Sequence, residues 1–234
     1  MFFMSQMKLI FEKQWLHALL LAVLLIAVTL ASKLEDINTG MFLGISTPQW
    51  FWLAIVLPIM HQVFVWFCWR IQLHGHLLYK AFGKLSYPVY ALFFFTLGIL
   101  RVLSVFALAI SNRDTLILNI TILKTFAIII TIPALYLLYS VMRYFSFKRA
   151  SGIDHFDERY RSRPLVRKGI FRFTRNGMYT FGFLFLWIPA LWYASMAALC
   201  AALFNHLYIW VHYFATEFPD MKRIYGDAEL TAGK

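Results

Sequence analysis

The lengths of the apolar runs restrict the fold of this chain more than any other feature. Four runs cover about residues 14–31, 49–69, 88–110 and 116–142. A helix needs about 20 mainly apolar residues to cross a bilayer. The chain is only 14% charged, whereas a soluble domain has roughly 25% charged residues. The sequence therefore predicts an all-α, polytopic membrane helical bundle.

A fifth apolar run, residues 177–215, is too long for one crossing. As a single helix it would extend about 58 Å, against a hydrocarbon core of about 30 Å. Pro189 lies within it, and proline usually breaks or kinks a helix. We therefore expect a helical hairpin with arms at about 177–188 and 191–215. The bundle then has about six segments, and the last two form the hairpin.

The distribution of positive charge supports six segments. With that number, 18 of the 22 Lys and Arg residues lie on the same side as both termini, and Lys33 and Arg113 lie on the other. Cytoplasmic loops of membrane proteins carry this excess, so we expect both termini in the cytoplasm. The net charge of +11 then reflects which loops face the cytoplasm. We therefore expect no nucleic-acid partner. The small chain and the lack of targeting motifs favour a bacterial inner membrane.

The long polar segment, about residues 143–175, lies within what we interpret as a single integral-membrane domain, residues 1–234. Its mixture of basic and aromatic residues is typical of chain at the headgroup level. Positive loop charge alone does not explain the run GIDHFDERY, residues 152–160. That run places Asp154, His155, Asp157 and Glu158 among the basic residues.

Polar residues also follow one stripe of the last apolar segment. His206, Trp210, Tyr213 and Glu217 are spaced i, i+4, i+7 and i+11, which places them on one face of a helix. Such polarity in a bilayer faces protein or a water-filled cavity. Alternatively, Glu217 is a solvated residue at the end of the helix.

An anion site is predicted where the hairpin begins. Arg172 and Arg175 precede Asn176-Gly177, which can expose backbone N–H groups at a helix start. The alternative is an ordinary positively charged flank. The histidines do not form a close zinc cluster with carboxylates, so we expect no metal site.

These residues resemble motifs of the integral-membrane methyltransferase superfamily, which includes isoprenylcysteine carboxyl methyltransferases and phospholipid N-methyltransferases. GIFRFTRNGMY, residues 169–179, is similar to the motif G-x-[YF]-R-x-x-R-[HN]-P-x-Y, with Gly177 in place of its proline. TEFPDMKRIYG, residues 216–226, resembles the second motif, a glutamate followed by an aromatic residue and glycine. The resemblance covers about residues 140–226, and residues 143–226 would form the catalytic and cofactor-binding region.

The resemblance implies a pocket for S-adenosylmethionine at the cytoplasmic ends of the last helices. Arg175 and Asn176 would hold the cofactor carboxylate, Glu217 would meet its ammonium, and Tyr179 would line the pocket. Other predicted cofactor-binding residues are His206, Tyr213, Tyr225 and Gly226. The acceptor would be a membrane lipid or another hydrophobic molecule, with a phospholipid amine and a lipid-linked carboxylate both open. Asp154, His155 or Glu158 would act as the catalytic base or orient the acceptor; alternatively, they are ordinary interfacial residues.

Two other functions remain open at this point. Sterol and steroid reductases that use NADPH share the general architecture and an arginine-rich motif, and a non-catalytic membrane protein would bind neither cofactor. Two cations, Arg101 and Lys124, fall inside predicted spans. We expect them to reach the non-cytoplasmic face or to pair with Asp114; the alternative is contact with an anionic headgroup.

Overall fold

Within residues 2–231, the part of the chain that the computed structural model describes, the fold is helical apart from one antiparallel pair of short strands. The α-helices are α1 (Phe2–Ile10), α2 (Gln14–Ala31), α3 (Thr47–Gly75), α4 (Leu77–Phe82), α5 (Ser86–Ser111), α6 (Ile120–Ser140), α7 (Phe147–Ala150), α8 (Glu158–Arg161), α9 (Leu184–Trp192), α10 (Met196–His212) and α11 (Phe218–Thr231). The strands are β1 (Met41–Phe42) and β2 (Ile45–Ser46). Turns of π-helix occur at Val141–Phe145, Met178–Gly182 and Tyr213–Glu217, and turns of 3₁₀-helix at Glu35–Ile37, Gly83–Leu85, Ile153–His155 and Gly169–Arg172. The predicted all-α bundle is confirmed.

Five helical stretches are long and apolar enough to cross a membrane, which fits a multi-pass membrane protein. They cover Gln6–Ala31, Thr47–Gly75, Leu77–Ser111, Ile120–Phe145 and Met196–Gly226. Each of the four spans predicted before the hairpin overlaps one of these stretches. The first arm of the predicted hairpin corresponds to a shorter apolar helix, Met178–Trp192.

The predicted hairpin is present, but the prediction that Pro189 forms its turn is wrong. Pro189 lies inside α9, where it removes only one helical hydrogen bond. The chain reverses five residues later, because Ala194 adopts a left-handed conformation with a φ of 47°. Ser195 then caps α10, and its hydroxyl accepts a hydrogen bond from the Ala198 N–H. The predicted arms 177–188 and 191–215 are corrected accordingly.

Small residues let α10 pack closely against its neighbours. It contacts α2, α3, α5 and α9, and four of its alanines, at positions 197, 198, 201 and 202, are completely buried in the core. Lipid tails are as apolar as side chains, so close backbone approach contributes strongly to helix association in a membrane. Helix α10 is therefore held at the centre of the bundle, with the polar segment that follows it.

A kink after α10 depends on a buried arginine. Pro219 has no N–H, so the carbonyl of Ala215, four residues earlier, lacks its helical partner. The chain forms the π-helical turn Tyr213–Glu217 at this point. Arg70 of α3 is completely buried, and its Nη2 donates to the Ala215 and Thr216 carbonyls at 3.3 and 3.2 Å. A side chain thus replaces the missing backbone donor.

The same guanidinium joins three helices. Its Nε donates to Oδ2 of Asp220 in α11 at 2.8 Å, and its Nη1 donates to the carbonyl of Leu9 in α1 at 2.6 Å. Neither Arg70 nor Asp220 has solvent exposure. A buried ion pair is tolerated only where further hydrogen bonds satisfy both groups, and Arg70 meets this condition.

Replacing Arg70 by Met removes these donors and leaves the buried Asp220 with only the more distant cation of Arg223, whose Nη1 lies 3.5 Å from Asp220 Oδ1. We expect Arg70→Met to lower the stability by about 3–5 kcal/mol, measured as a lower thermal unfolding midpoint in detergent micelles. Arg113→Met, at an exposed arginine, is the control and changes the midpoint little. An unchanged midpoint for Arg70→Met contradicts the role given to the guanidinium.

Candidate functional site

A cavity of about 460 Å³ lies among the ends of several helices and the polar segment. Its wall includes side chains from α3, α5, α10 and α11, from the loop after α7, and from the chain before α9. This volume falls within the range of about 300–1,000 Å³ typical of small-molecule sites.

A glycine sets the loop after α7 against α3. Gly152 has a φ of 79°, and a Cβ added there would overlap the ring of Trp69. The Trp69 ring stacks on His155, with ring centroids 4.2 Å apart and planes 16° apart, and its Nε1–H donates to the Tyr90 hydroxyl at 2.8 Å. These contacts hold Asp154 and His155 at the wall of the cavity.

His155 extends the buried network of Arg70. Its Nε2 lies 3.6 Å from Oδ2 of Asp220, the carboxylate that pairs with Arg70. Its Nδ1 lies 3.3 Å from the Gly152 carbonyl. The imidazole is therefore fixed between the Trp69 ring and Asp220, which suits a residue that positions the loop.

Asp154 belongs to a second buried network. The Tyr225 hydroxyl donates to Asp154 Oδ2, and Arg149 Nη2 donates to the same hydroxyl at 3.1 Å. Burial raises the pKa of Asp154, although the hydrogen bond from Tyr225 and the nearby charge of Arg149 oppose that rise. Within the described residues, Asp154 Oδ1 and Arg149 Nε are buried without a hydrogen-bond partner. Both side chains line the cavity, so both retain binding capacity toward a ligand.

The segments before α9 and after α10 line the same cavity. Arg175, Asn176 and Tyr179 come from the first segment, and Tyr213 and Glu217 come from the second. The rings of Tyr179 and Tyr213 lie 5.3 Å apart, and Tyr213 shares a side-chain hydrogen bond with Asn176. Tyr179 is buried and Arg175 is exposed. Basic, acidic and aromatic groups therefore meet where the two motif segments converge.

The backbone of Asn176 differs from the expectation. Its N–H donates to the Thr174 hydroxyl at 3.2 Å, and its carbonyl accepts from the N–H groups of Tyr179 and Thr180 at 3.0 Å. The prediction that the Asn176 N–H is available to an anion is therefore wrong, because a neighbouring hydroxyl already accepts from it.

Four predicted site residues do not line the cavity. Glu158 is exposed on α8, Gly226 is exposed with a φ of 79°, and His206 accepts a hydrogen bond from Trp187 Nε1 at 3.1 Å. Tyr225 approaches the cavity only through the carboxylate network described above.

The predicted polar stripe is interrupted before its last residue, Glu217. A π-helical turn contains more residues than an α-helical turn, so the turn at Tyr213–Glu217 shifts the side chains after it. Tyr213 and Glu217 line the cavity, whereas His206 packs against Trp187 and Phe183. The i, i+4, i+7, i+11 spacing assumed an uninterrupted α-helix.

Arg101 was expected at the membrane surface, and contact with an anionic headgroup was only the alternative. It is 5% exposed, its Nε donates to Asn205 Oδ1, and its guanidinium lies 4.7 Å from the centre of the Phe183 ring. The expectation that it reaches the membrane surface or pairs with Asp114 is wrong, because it lines the cavity. An ionisable residue inside a span is itself a signal of function.

Three further cavity residues, Trp69, His61 and His212, were not predicted to contribute. Both histidines are buried, and within the described residues none of their ring nitrogens has a hydrogen-bond partner. No group of three His, Cys, Asp or Glu residues in that part of the chain is placed to hold a metal ion. Polar residues inside apolar runs were the available signal.

Residues 122–228 match a family model described as phospholipid methyltransferase. The matched range contains both sequence motifs, the loop with Asp154 and the hairpin. The predicted resemblance to the integral-membrane methyltransferase superfamily is confirmed for this part of the chain. Searches of curated proteins and of solved structures gave no match.

The contact between Gly152 and Trp69 allows a paired test. Gly152→Ala adds both a left-handed strain of about 1–2 kcal/mol and the overlap with Trp69. Gly44→Ala is matched in φ, at 76° against 79°, but has open space around its added Cβ. We expect a clearly larger fall in the unfolding midpoint for Gly152→Ala. Equal falls would contradict the packing role of Gly152.

The raised pKa of Asp154 predicts a pH dependence of stability. A carboxyl whose folded-state pKa is raised favours folding below its ordinary value of 3.8, and that contribution is lost as the pH rises through the folded-state pKa. Asp154→Asn removes this titration. We expect the unfolding midpoint of the variant, relative to wild type, to increase as the pH rises above the ordinary value of 3.8.

Asp157→Asn provides a control of opposite sign. A hydrogen bond from Arg159 lowers the pKa of Asp157, so the charged form favours folding and its contribution is lost as the pH falls. The midpoint of this variant relative to wild type is expected to fall slightly as the pH rises. The same pH trend in both variants would contradict the assignment for Asp154.

Proposed function

We propose that this protein is an S-adenosylmethionine-dependent membrane methyltransferase that acts on a lipid or another hydrophobic acceptor. The match of residues 122–228 to a phospholipid methyltransferase family supports methyl transfer in general. The observation that most supports the specific proposal is the convergence of two segments, residues 169–179 and 216–226, on one cavity. They are separated by the whole helical hairpin, yet each contributes residues to its wall.

The chemistry of the wall fits the proposed cofactor. S-Adenosylmethionine has a carboxylate, an ammonium, a sulfonium and an aromatic base. The cavity offers cationic side chains such as Arg149 and Arg175, the carboxylates of Asp154 and Glu217, and several aromatic rings. Arg149 Nε lies 3.9 Å from Asp154 Oδ2, and neither Arg149 Nε nor Asp154 Oδ1 has a hydrogen bond within the described residues, which fits a wall whose polar groups are completed by a ligand.

The two motif segments would bind opposite charges. Arg175 and Asn176 would hold the cofactor carboxylate through charge-assisted hydrogen bonds, and Glu217 would pair with the ammonium. The facing rings of Tyr179 and Tyr213 would lie against the positive sulfonium, since aromatic faces attract cations. Under this proposal the charge arrangement fixes the direction in which the cofactor lies.

The remaining task of the chain is to place an acceptor and accept its proton. When bound, S-adenosylmethionine supplies a methyl group whose bond to sulfur breaks as a bond to nitrogen or oxygen of the acceptor forms. Alignment of the two reacting molecules supplies much of the rate. We assign the proton acceptor to Asp154, because its Oδ1 has no hydrogen-bond partner among the described residues and burial raises its pKa. His155 acts by positioning the loop, and Glu158 is too exposed to take part.

The proposed reaction also suggests an orientation. We assign residues 143–226 as the cofactor-binding region of a single domain, residues 1–234. The cavity draws Arg149, Arg167 and Arg175 from the strongly basic segment, and basic segments face the cytoplasm. Both termini then lie in the cytoplasm, as expected for a bacterial inner-membrane enzyme supplied with a soluble cofactor from that side.

The proposal is tested by calorimetric titration of the detergent-purified protein with S-adenosylmethionine and, separately, with NADPH. We expect saturable binding of S-adenosylmethionine and a loss of about tenfold or more in affinity in Glu217→Gln, because a charged hydrogen-bond partner is removed. Glu35→Gln, at an exposed glutamate in the turn after α2, is the matched control and retains full affinity.

Each alternative function gives a different result in the same titrations. NADPH binding without S-adenosylmethionine binding would replace this proposal by a membrane reductase. Binding of neither, in a protein with a normal unfolding midpoint, would indicate a non-catalytic membrane protein. Incorporation of a labelled methyl group into a lipid extract then identifies the acceptor class.

A further inference from the structure

One part of the cavity wall is formed by residues of the spans that belong to neither motif segment. It consists of His61 on α3, Arg101 on α5 and His212 at the end of α10. His61 precedes Trp69 by eight residues, which is about 12 Å along a helix. Trp69 marks the level of the loop that carries Asp154, so the cavity extends from that loop into the membrane-spanning part of the bundle.

The neighbours of His61 leave space at this position. Phe94 packs edge-on against its ring, with centroids 4.8 Å apart. Gly98, one helical turn after Phe94, has its Cβ position 3.6 Å from His61 Cε1. A larger residue at position 98 would occupy the space beside the imidazole. The ring is thus held by apolar contacts, which leave its nitrogens without hydrogen bonds.

Four buried ring nitrogens lack partners here. His61 is 6% exposed and His212 is 1% exposed, and neither Nδ1 nor Nε2 of either ring has a hydrogen-bond partner within the described residues. Leaving a buried polar group unpaired costs about 1–3 kcal/mol. Two such side chains on the wall of one cavity indicate that a bound molecule completes their hydrogen bonds.

Arg101 adds a positive charge that no neighbouring acid balances. Its hydrogen bonds go to the side-chain oxygen and the carbonyl of Asn205, and its guanidinium lies over the Phe183 ring. None of these partners is negatively charged. A cation inside a bilayer is costly and normally pairs with an anion or faces a functional cavity.

We propose that His61, Arg101 and His212 form a binding site for an oxyanion carried by a hydrophobic molecule, a carboxylate or a phosphate on an apolar chain. The guanidinium supplies the charge, and the neutral imidazoles supply N–H donors. An amine would be repelled by Arg101. The proposal rests on the proposed function only in taking this molecule to be the methyl acceptor; oxyanion binding itself requires no cofactor.

Four amphiphiles with the same chain length distinguish the ligand classes. The wild-type protein in an uncharged maltoside detergent is titrated calorimetrically with dodecanoate, dodecyl phosphate, dodecylammonium and dodecanol. We expect saturable binding of dodecanoate, dodecyl phosphate or both, and none for the ammonium or the alcohol. The two anionic ligands show which oxyanion the site prefers. Equal binding of all four ligands would overturn the proposal.

Variants then locate the site. Arg101→Met is expected to lower the affinity for the bound anion by about tenfold or more. Lys124→Met removes another cation within a span, an exposed residue over Trp192, and is expected to leave the affinity unchanged. His61→Phe keeps Arg101 and an aromatic ring beside Phe94, so it tests the site even where Arg101→Met fails to fold. Anion binding that persists in folded Arg101→Met, or in His61→Phe, would overturn the proposal.

The cofactor titration separates this inference from the proposed function. S-Adenosylmethionine binding retained in His61→Phe, with anion binding lost, supports two distinct parts of one cavity. Arg101-dependent anion binding in a protein that never binds S-adenosylmethionine supports the oxyanion site and rejects the methyltransferase. S-Adenosylmethionine binding without any anion binding supports the methyltransferase and rejects the oxyanion site.

Discussion

The guanidinium of Arg70 fixes the geometry on which the candidate site depends. It supplies donors to the carbonyls that the kink before Pro219 exposes, and it pairs with Asp220 on the far side of that kink. Asp220 in turn faces His155, whose ring stacks on Trp69. One buried charge on α3 therefore aligns both the last helix and the loop that carries Asp154. Loss of this guanidinium would therefore disturb the position of the last helix relative to the loop.

The cavity contains charges of both signs at its loop end and positive charge alone at its membrane end. Asp154 and Glu217 face Arg149 and Arg175 across the first region, whereas no acid accompanies Arg101. Interactions between such groups are stronger where water is excluded, and unpaired groups are correspondingly costly. This asymmetry favours a zwitterionic or mixed-charge molecule at one end and an anionic one at the other. An unbalanced buried charge is costly inside a membrane, which favours a ligand-binding role for this cavity.

Local composition was enough to predict the helices, because span length and charge distribution are properties of short stretches. The resemblance of two segments to methyltransferase motifs implied that Arg175, Asn176, Tyr179 and Glu217 share one pocket, and these residues line the same cavity. The turn of the hairpin was missed, because a left-handed Ala194 leaves no sequence signal comparable to a proline.

The networks that complete the site could not be predicted for a different reason. Arg70 and Asp220 are 150 positions apart, and only tertiary packing makes them partners. Arg101 was assigned to the membrane surface because a single sequence does not show which face of a helix meets protein. A π-helical turn holds more residues than an α-helical turn, so side chains after it do not follow the 3.6-residue period. For this reason Glu217 does not share the face of His206.

The π-helical turn before Pro219 also has a consequence for how the length of this chain can vary. Deleting one residue between His212 and Pro219 would convert the π-helical turn into a regular α-helical turn, which holds fewer residues. The cavity would then lose one residue of the turn that carries Tyr213 and Glu217, and the Ala215 and Thr216 carbonyls would no longer be presented to Arg70 in the same way. The short connection between β1 and β2, residues 43–44, has no such constraint, since Gly44 has open space around it. Insertions and deletions are therefore expected to accumulate in that connection and to be excluded from residues 213–220.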